Sequence, residues 1–368
     1  MKNRLGLALS GGSVRAAAHV GVLKALEEYA LEPDVVVGTS GGAIVAALYA
    51  TGLTATELQQ LFWEYSKTKG KIVDLNWRGA ILALLTWDIK RFTGVVRGVS
   101  LEKIIAQSLP IQDFRDLKKC QLLIPAVNLN NGQQTVFGDY KTMGLSLDAD
   151  GKCAEYPLRD DLTIAQAVRA SISIPGVFVP AVFEDDQSPD CYVDGALRDG
   201  YPINIAVRLG KASRILGVNL GYAGMRRDTI LDDGPLEIFS QSLDIMMRAQ
   251  YRDRLQDRAL IRSRIMTINP LIYDIGTFEV EYIPQMIDRG YEVVTRLFRE
   301  RGLEPGASRN RERLFRMIRD PQTFPAKDSP YFDYLLENQI KRRLVVEREA
   351  KAGWLGYLRT IVGKRVVG

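Results

Sequence analysis

Two short segments near the amino terminus narrow what this chain can fold into. Residues 4–10, RLGLALS, form an apolar run that ends at Gly11-Gly12. A helical pattern follows from about Ser13 to Tyr29, with Val22, Leu23 and Leu26 on one face. Pro33 and Asp34 interrupt it. Val35-Val36-Val37 then starts the same sequence of events again: a short strand, a glycine-rich turn at 38–42, and an apolar helix from about Gly41 to Thr51, closed by Gly52. A strand that is apolar at successive positions expects cover on both faces, and strands alternating with helices pair in parallel. The pattern therefore predicts an α/β fold with a central, mostly parallel sheet between helical layers. Further strands are expected at 121–127 (QLLIPAV), 134–137, 177–182, 191–193, 214–219 and 265–268, with a helix at 163–171. Residues 54–118 read as mostly helical.

Both opening segments have competing readings. Basic residues precede Leu5–Leu9, as in a signal peptide. The apolar stretch is shorter than the roughly 7–15 residues such a signal uses, and Arg15 follows it closely. Residues 35–53 carry no charge over 19 positions, which by length would span a bilayer. Gly38, Ser40, Gly41 and Gly42 instead divide the run into strand, turn and helix. The 368 residues, 46% hydrophobic, suffice for one large domain with an appendage. Three cysteines, an odd number with no C-x-x-C spacing, argue against a disulfide framework or a zinc site. They point to a reducing, cytoplasmic compartment.

The second turn carries a chemical signature. Gly38-Thr39-Ser40-Gly41-Gly42 has the form G-x-S-x-G, in which small residues let a sharp strand-to-helix turn expose a serine hydroxyl. The amino terminus of the following helix favours negative charge developing beside Ser40. The first turn, Ser10-Gly11-Gly12-Ser13-Val14-Arg15, offers backbone N–H groups to a phosphate or to the oxyanion of an acyl-transfer intermediate. A dinucleotide site would need a third glycine where Ala16 or Ala17 stands and an acid after the second strand, where Gly38 stands. A serine nucleophile needs a base, and the chain has one histidine, His19. It shares a helical face with Leu23 and Leu26, the position of a core residue. The base is then a carboxylate or a lysine.

Three stretches in this order resemble the patatin-like phospholipase family: LALSGGSVRAAAHVGVLKALEE (7–28), VVVGTSGGAIVAALYATGL (35–53) and AVRASISIPGVFVPAVF (167–183), followed by Tyr192-Val193-Asp194-Gly195-Ala196. The resemblance covers about residues 4–298 and implies a three-layer α/β/α patatin-like fold. It implies a catalytic dyad in which Ser40 attacks an acyl carbonyl and Asp194, opening the Asp194-Gly195-Ala196 signature, accepts its proton. It implies an oxyanion loop at Gly11, Gly12 and Ser13, although the family usually has glycine at the positions of Ser13 and Ala16. Arg15 matches the family's basic residue in that loop, as loop support or as a contact to a phosphate head group. The implied substrates are acyl lipids, phospholipids or lysophospholipids among them. Acyl transfer, thioester hydrolysis and non-catalytic lipid binding are the alternatives on the same fold. No cofactor is called for, and no EF-hand-like loop is present for calcium.

The rest of the chain is less specific. Residues 299–368 hold 16 Lys/Arg against 9 Asp/Glu, a net +7, which leaves 33 against 35 for residues 1–298. The basic excess thus belongs to a helical carboxyl-terminal extension, separate from a 4–298 catalytic domain. Lys341-Arg342-Arg343, together with Trp354, Tyr357, Arg359, Lys364 and Arg365, would suit anionic lipid head groups at the inner face of a membrane, or packing on the body or on a second copy. No nucleic-acid-binding motif accompanies this basicity. The oligomeric state is left open. Trp77, Leu82, Leu84, Leu85, Trp87 and Phe92, beside Arg78, Lys90 and Arg91, read as a packed helical cap or as a lipid-facing lid.

Overall fold

The computed structural model describes residues 3–67, 74–76, 93–139, 152–153, 156–183, 190–221, 238–239, 241–246, 264–272, 274–276, 279–319, 322–326 and 331–333. The expected cap or lid at 77–92 and the basic segment at 340–368 lie outside them.

Strands β1 (Leu5–Leu9) and β2 (Val35–Gly38) are buried at every position, as their apolar runs require. They pair in parallel and occupy the middle of the sheet. β3 (Gln121–Asn128) extends it beyond β2 in parallel. On the other side β1 pairs with β9 (Arg214–Val218), then β10 (Ile265–Ile268) and β11 (Gln322–Phe324), all in parallel. Past β3 the sheet becomes mixed. β4 (Gln134–Phe137) and β8 (Cys191–Asp194) both run antiparallel to β3, and β8 also pairs with β7 (Ala181–Val182). β5 (Lys152–Cys153) and β6 (Tyr156–Arg159) complete the β4 edge.

Helices cover both faces. Helix α1 (Ala17–Glu28) follows β1, and α2 (Gly41–Ala50) follows β2 and is buried along almost its whole length. Helices α3 (Ala55–Lys67), α4 (Val99–Ser108), α5 (Ile164–Ser171) and the single turn α6 (Ala196–Asp199) come next in the chain. Helix α7 (Ile203–Arg208) packs Ile203, Ile205 and Ala206 onto Ala8, Val35, Val37 and Ile215, the residues pointing to one side of β1, β2 and β9. Along α1, Gly21 meets α8 (Ile283–Glu300) so closely that a methyl there would lie 1.8 Å from the Ile287 carbonyl oxygen. Gly290 returns the contact, 2.0 Å from the Ala18 oxygen.

Three details differ from the sequence reading. Only Ala181–Val182 of the expected 177–182 strand pairs as one; Pro180, just before it, has no N–H to give a ladder. Leu75 and Val96, inside the expected helical stretch 54–118, form an antiparallel bridge. The first compact unit also runs past the expected boundary at 298, to Phe324, with a second unit from Pro325 to Gly368. The reason lies in what residues 299–324 bury. Asn310, at the start of α9 (Asn310–Met317), is buried and donates through Nδ2 to the Tyr29 and Glu304 carbonyls, and β11 adds a strand to the sheet. No helix among the described residues is long and apolar enough to cross a membrane.

Candidate active site

Ser40 stands between the end of β2 and the first turn of α2, with φ 54° and ψ −127°. A non-glycine residue in that region carries strain on the order of 1–3 kcal/mol and persists only where its surroundings enforce it. Here the surroundings do. The Ser40 N–H donates to Ser171 Oγ at 3.0 Å, and Ser171 Oγ donates to the Pro125 carbonyl at 2.7 Å. Thr39 Oγ1 donates to the Asp199 carbonyl at 2.9 Å. The glycines after Ser40 are needed for close approach. A methyl on Gly41 would sit 2.4 Å from the Ser13 carbonyl oxygen, and one on Gly42 would sit 2.6 Å from the Leu9 and Ser10 oxygens. The two glycine-rich turns that the sequence separates by a helix are therefore packed backbone to backbone.

Asp194 reaches the same place from a strand on the other side of β3. It ends β8, where antiparallel pairing sets it opposite Ala126 of β3, and its N–H donates to the Ser173 carbonyl at 2.9 Å. Ser40 Oγ donates to Asp194 Oδ2 at 2.6 Å, a normal length for a hydroxyl on a carboxylate. The other oxygen, Oδ1, accepts from the Ala196 N–H at 2.8 Å. The carboxyl is buried, and desolvation pushes its pKa up to about 7, with the bonds from Ser40 and Ala196 pulling it back toward the charged form. Gly195 lies beneath, where a methyl would come 2.3 Å from the Pro125 oxygen. Sequence spacing could not have chosen Asp194 among the chain's 44 acids. The register of β8 on β3 brings it to Ser40.

The Gly-rich loop divides its N–H groups unevenly. Gly11 already donates to the Gly200 carbonyl at 2.9 Å, so of the three expected oxyanion donors it is the one engaged elsewhere. Its place is steric: a methyl on it would touch Ser40 Cβ at 3.3 Å. The N–H groups of Gly12 and Ser13 make no hydrogen bond among the described residues. Ser13, where the resembled pattern has glycine, holds φ 51°, a left-handed conformation. Arg15 does not face outward. Its guanidinium is buried, with Nη1 2.9 Å from Asp244 Oδ2 and Nε donating to the Ile275 carbonyl at 2.8 Å. Both contacts tie the Gly-rich loop to other parts of the chain.

His19 serves the loop rather than the serine. Its Nε2 lies 2.9 Å from the Ser10 carbonyl oxygen, which can only accept, so Nε2 carries the hydrogen. Nδ1 is buried without a partner among the described residues, and burial lowers the ring's pKa to about 4. The sequence reading passed over Ser171 and Thr39, which hold the elbow, and Arg169, buried and donating to the carbonyls of Arg97 and Val179. Ser171 and Arg169 fall inside the quoted stretch 167–183, but nothing in their type or spacing marks the bond of Ser171 to Ser40, 131 residues away, or that of Arg169 to Arg97, 72 residues away. Among the described residues no cluster of three or more His, Cys, Asp or Glu could hold a metal ion.

Known proteins share this arrangement of sequence. The uncharacterized protein YqhO of Bacillus subtilis is 32% identical over 245 residues, 65% of this chain and 79% of that protein. The human patatin-like phospholipase domain-containing protein 6 is 27% identical over 219 residues, 60% of this chain but 13% of the human protein. Lysophospholipase NTE1 of Eremothecium gossypii is 37% identical over 220 residues, again 59% of this chain and 12% of the relative. The sequence model of the patatin-like phospholipases matches residues 7–207, more than half of the chain, from within β1 through Ser40 and Asp194. With its mostly parallel sheet between helical layers, the chain belongs to the patatin-like phospholipase family.

Proposed function

We propose that this protein is a serine acyl hydrolase of lipid esters, with Ser40 as nucleophile and Asp194 as its base. The observation that carries the proposal is the 2.6 Å hydrogen bond from Ser40 Oγ to a buried carboxyl whose pKa is lifted to about 7. An ordinary carboxylate is a weak base for a hydroxyl; one lifted toward neutrality is better matched to the task at physiological pH.

In acylation Ser40 Oγ attacks the ester carbonyl carbon as its proton passes to Asp194 Oδ2. The carbonyl oxygen takes up the negative charge. The unengaged N–H groups of Gly12 and Ser13 form the oxyanion hole, supported by the positive end of α2 at Gly41. Collapse expels the alcohol, which leaves with the proton held by Asp194. Water then attacks the acyl-serine, Asp194 accepts its proton, and the fatty acid departs as Ser40 recovers its hydrogen. The Ala196 N–H on Oδ1 keeps Oδ2 turned toward Ser40 throughout.

Glycerophospholipids and lysophospholipids are the substrate class, in keeping with the name of the Eremothecium relative. The basic carboxyl-terminal segment and a cytoplasmic location at a membrane face belong to the same proposal. The test is product analysis on lysophosphatidylcholine micelles, with and without glycerol as acceptor. Release of free fatty acid that disappears in Ser40→Ala supports hydrolysis. Acyl glycerol as the dominant product moves the reading to acyl transfer, and no turnover of any acyl lipid contradicts catalysis.

A further inference from the structure

Ser40 and Asp194 come from distant parts of the chain, yet one segment of three residues bonds to both. Ser171, the last residue of α5, accepts the Ser40 N–H on its Oγ at 3.0 Å, and its carbonyl accepts the Gly195 N–H at 3.3 Å. Two residues on, the Ser173 carbonyl accepts the Asp194 N–H at 2.9 Å. Arg169 anchors the segment. Its buried guanidinium donates to Ser173 Oγ and to the carbonyls of Arg97 and Val179, which joins residues 97, 173 and 179 at one point.

Within this segment the Ser171 hydroxyl is the group that acts on the backbone of the nucleophile. A hydroxyl has one hydrogen, and the Pro125 carbonyl, which can only accept, takes it at 2.7 Å. A lone pair is left facing the Ser40 N–H. The hydroxyl cannot turn away without giving up the Pro125 bond. Ser171 is completely buried, so without its oxygen the Ser40 N–H would lose its partner in a place closed to solvent. That N–H belongs to a strained residue, with φ 54° and ψ −127°. Relaxation of φ toward negative values would swing the N–H off Ser171 and displace the backbone that carries Oγ. The Ser171 bond therefore favours the one backbone conformation that keeps Oγ on Asp194 Oδ2.

We infer that Ser171 is a positioning residue of the reaction: it holds Ser40 by its N–H so that Oγ meets Asp194. Its role rests on the Ser40–Asp194 reading proposed above. The full chain, Ser171→Ala, Ser171→Cys and Thr295→Val are compared in kcat and KM on soluble p-nitrophenyl butyrate, with Tm followed by circular dichroism. Thr295 is the control, a buried hydroxyl bonded to carbonyls of its own helix α8. In Ser171→Ala, kcat is expected to fall roughly tenfold to a hundredfold, the scale of a slight misplacement of a reacting group, with KM changed by less than about twofold. Ser171→Cys fills the same place with a weak acceptor and is expected to fall between parent and alanine. Thr295→Val should keep the parent's kcat. An unchanged kcat in Ser171→Ala, or a raised KM alone, overturns the inference. So does an equal fall in Thr295→Val at the same loss of Tm, which makes the effect one of general stability. Should the alanine variant not fold, parent-level kcat in Ser171→Cys overturns it. Variants that match an active parent count against Ser171 alone; a folded parent that hydrolyses no acyl ester overturns the dyad and the role of Ser171 with it.

Discussion

Replacing Asp194 by asparagine is expected to give a protein that is inactive and more stable. In the folded chain burial lifts this carboxyl to about 7; in the unfolded chain it returns to about 3.9. Between those values the unfolded state has lost its proton while the folded state keeps it, so stability falls as pH rises. A difference of about 3 in pKa, at roughly 1.4 kcal/mol for each, amounts to a loss on the order of 4 kcal/mol between pH 4 and pH 7. Above pH 7 both states are ionised and the loss is constant. Asparagine fills the same space, can accept from the Ala196 N–H and donate to Ser40 Oγ, and does not titrate. The advantage of Asp194→Asn over the parent should therefore grow from about 1 kcal/mol near pH 4.5 to about 3–4 kcal/mol at pH 8. Urea unfolding of both proteins at pH 4.5, 6 and 8 measures it. An advantage that does not change with pH, or a variant less stable than the parent at pH 8, would refute the claim that a buried, raised carboxyl sits beside Ser40.

The same titration sets the activity profile: kcat/KM should rise with pH to half its maximum near 7, because the carboxylate is the base, and a profile flat from pH 5 to 9 would contradict this. Ser13 holds a left-handed backbone, so Ser13→Gly should change stability by less than about 1 kcal/mol while keeping turnover, and Ser13→Val should lose about 1–2 kcal/mol in urea unfolding. His19→Asn should give a folded enzyme with measurable turnover, since the ring bonds the Ser10 carbonyl and not Ser40. A well-folded but dead His19 variant, judged by circular dichroism and ester hydrolysis, would make the histidine part of the chemistry.

The central layer was legible because parallel strands buried on both faces leave unbroken apolar runs, and Val35–Val37 and Leu5–Leu9 are such runs. The elbow was legible for a similar reason: glycine is the residue that permits the backbone contacts around Ser40. Asp194 was reached through resemblance, and its geometry depends on β8 pairing antiparallel with β3, a long-range event with no local signature. Ser171 and Thr39 were missed because their roles are side-chain hydrogen bonds to parts of the chain far away in sequence. Gly11 was assigned a donor role that its bond to Gly200 already occupies. The strand β11 was missed because its three residues gain their order from the edge of β10, not from their own pattern.

The dyad itself is tested most directly by a fluorophosphonate ester, which reacts with an activated serine, followed by peptide mass spectrometry of the labelled chain. The expected result is a single phosphonyl adduct on Ser40, absent in Ser40→Ala and sharply slowed in Asp194→Asn. An adduct on another residue, or labelling of Ser40 at an undiminished rate without the Asp194 carboxyl, would contradict it.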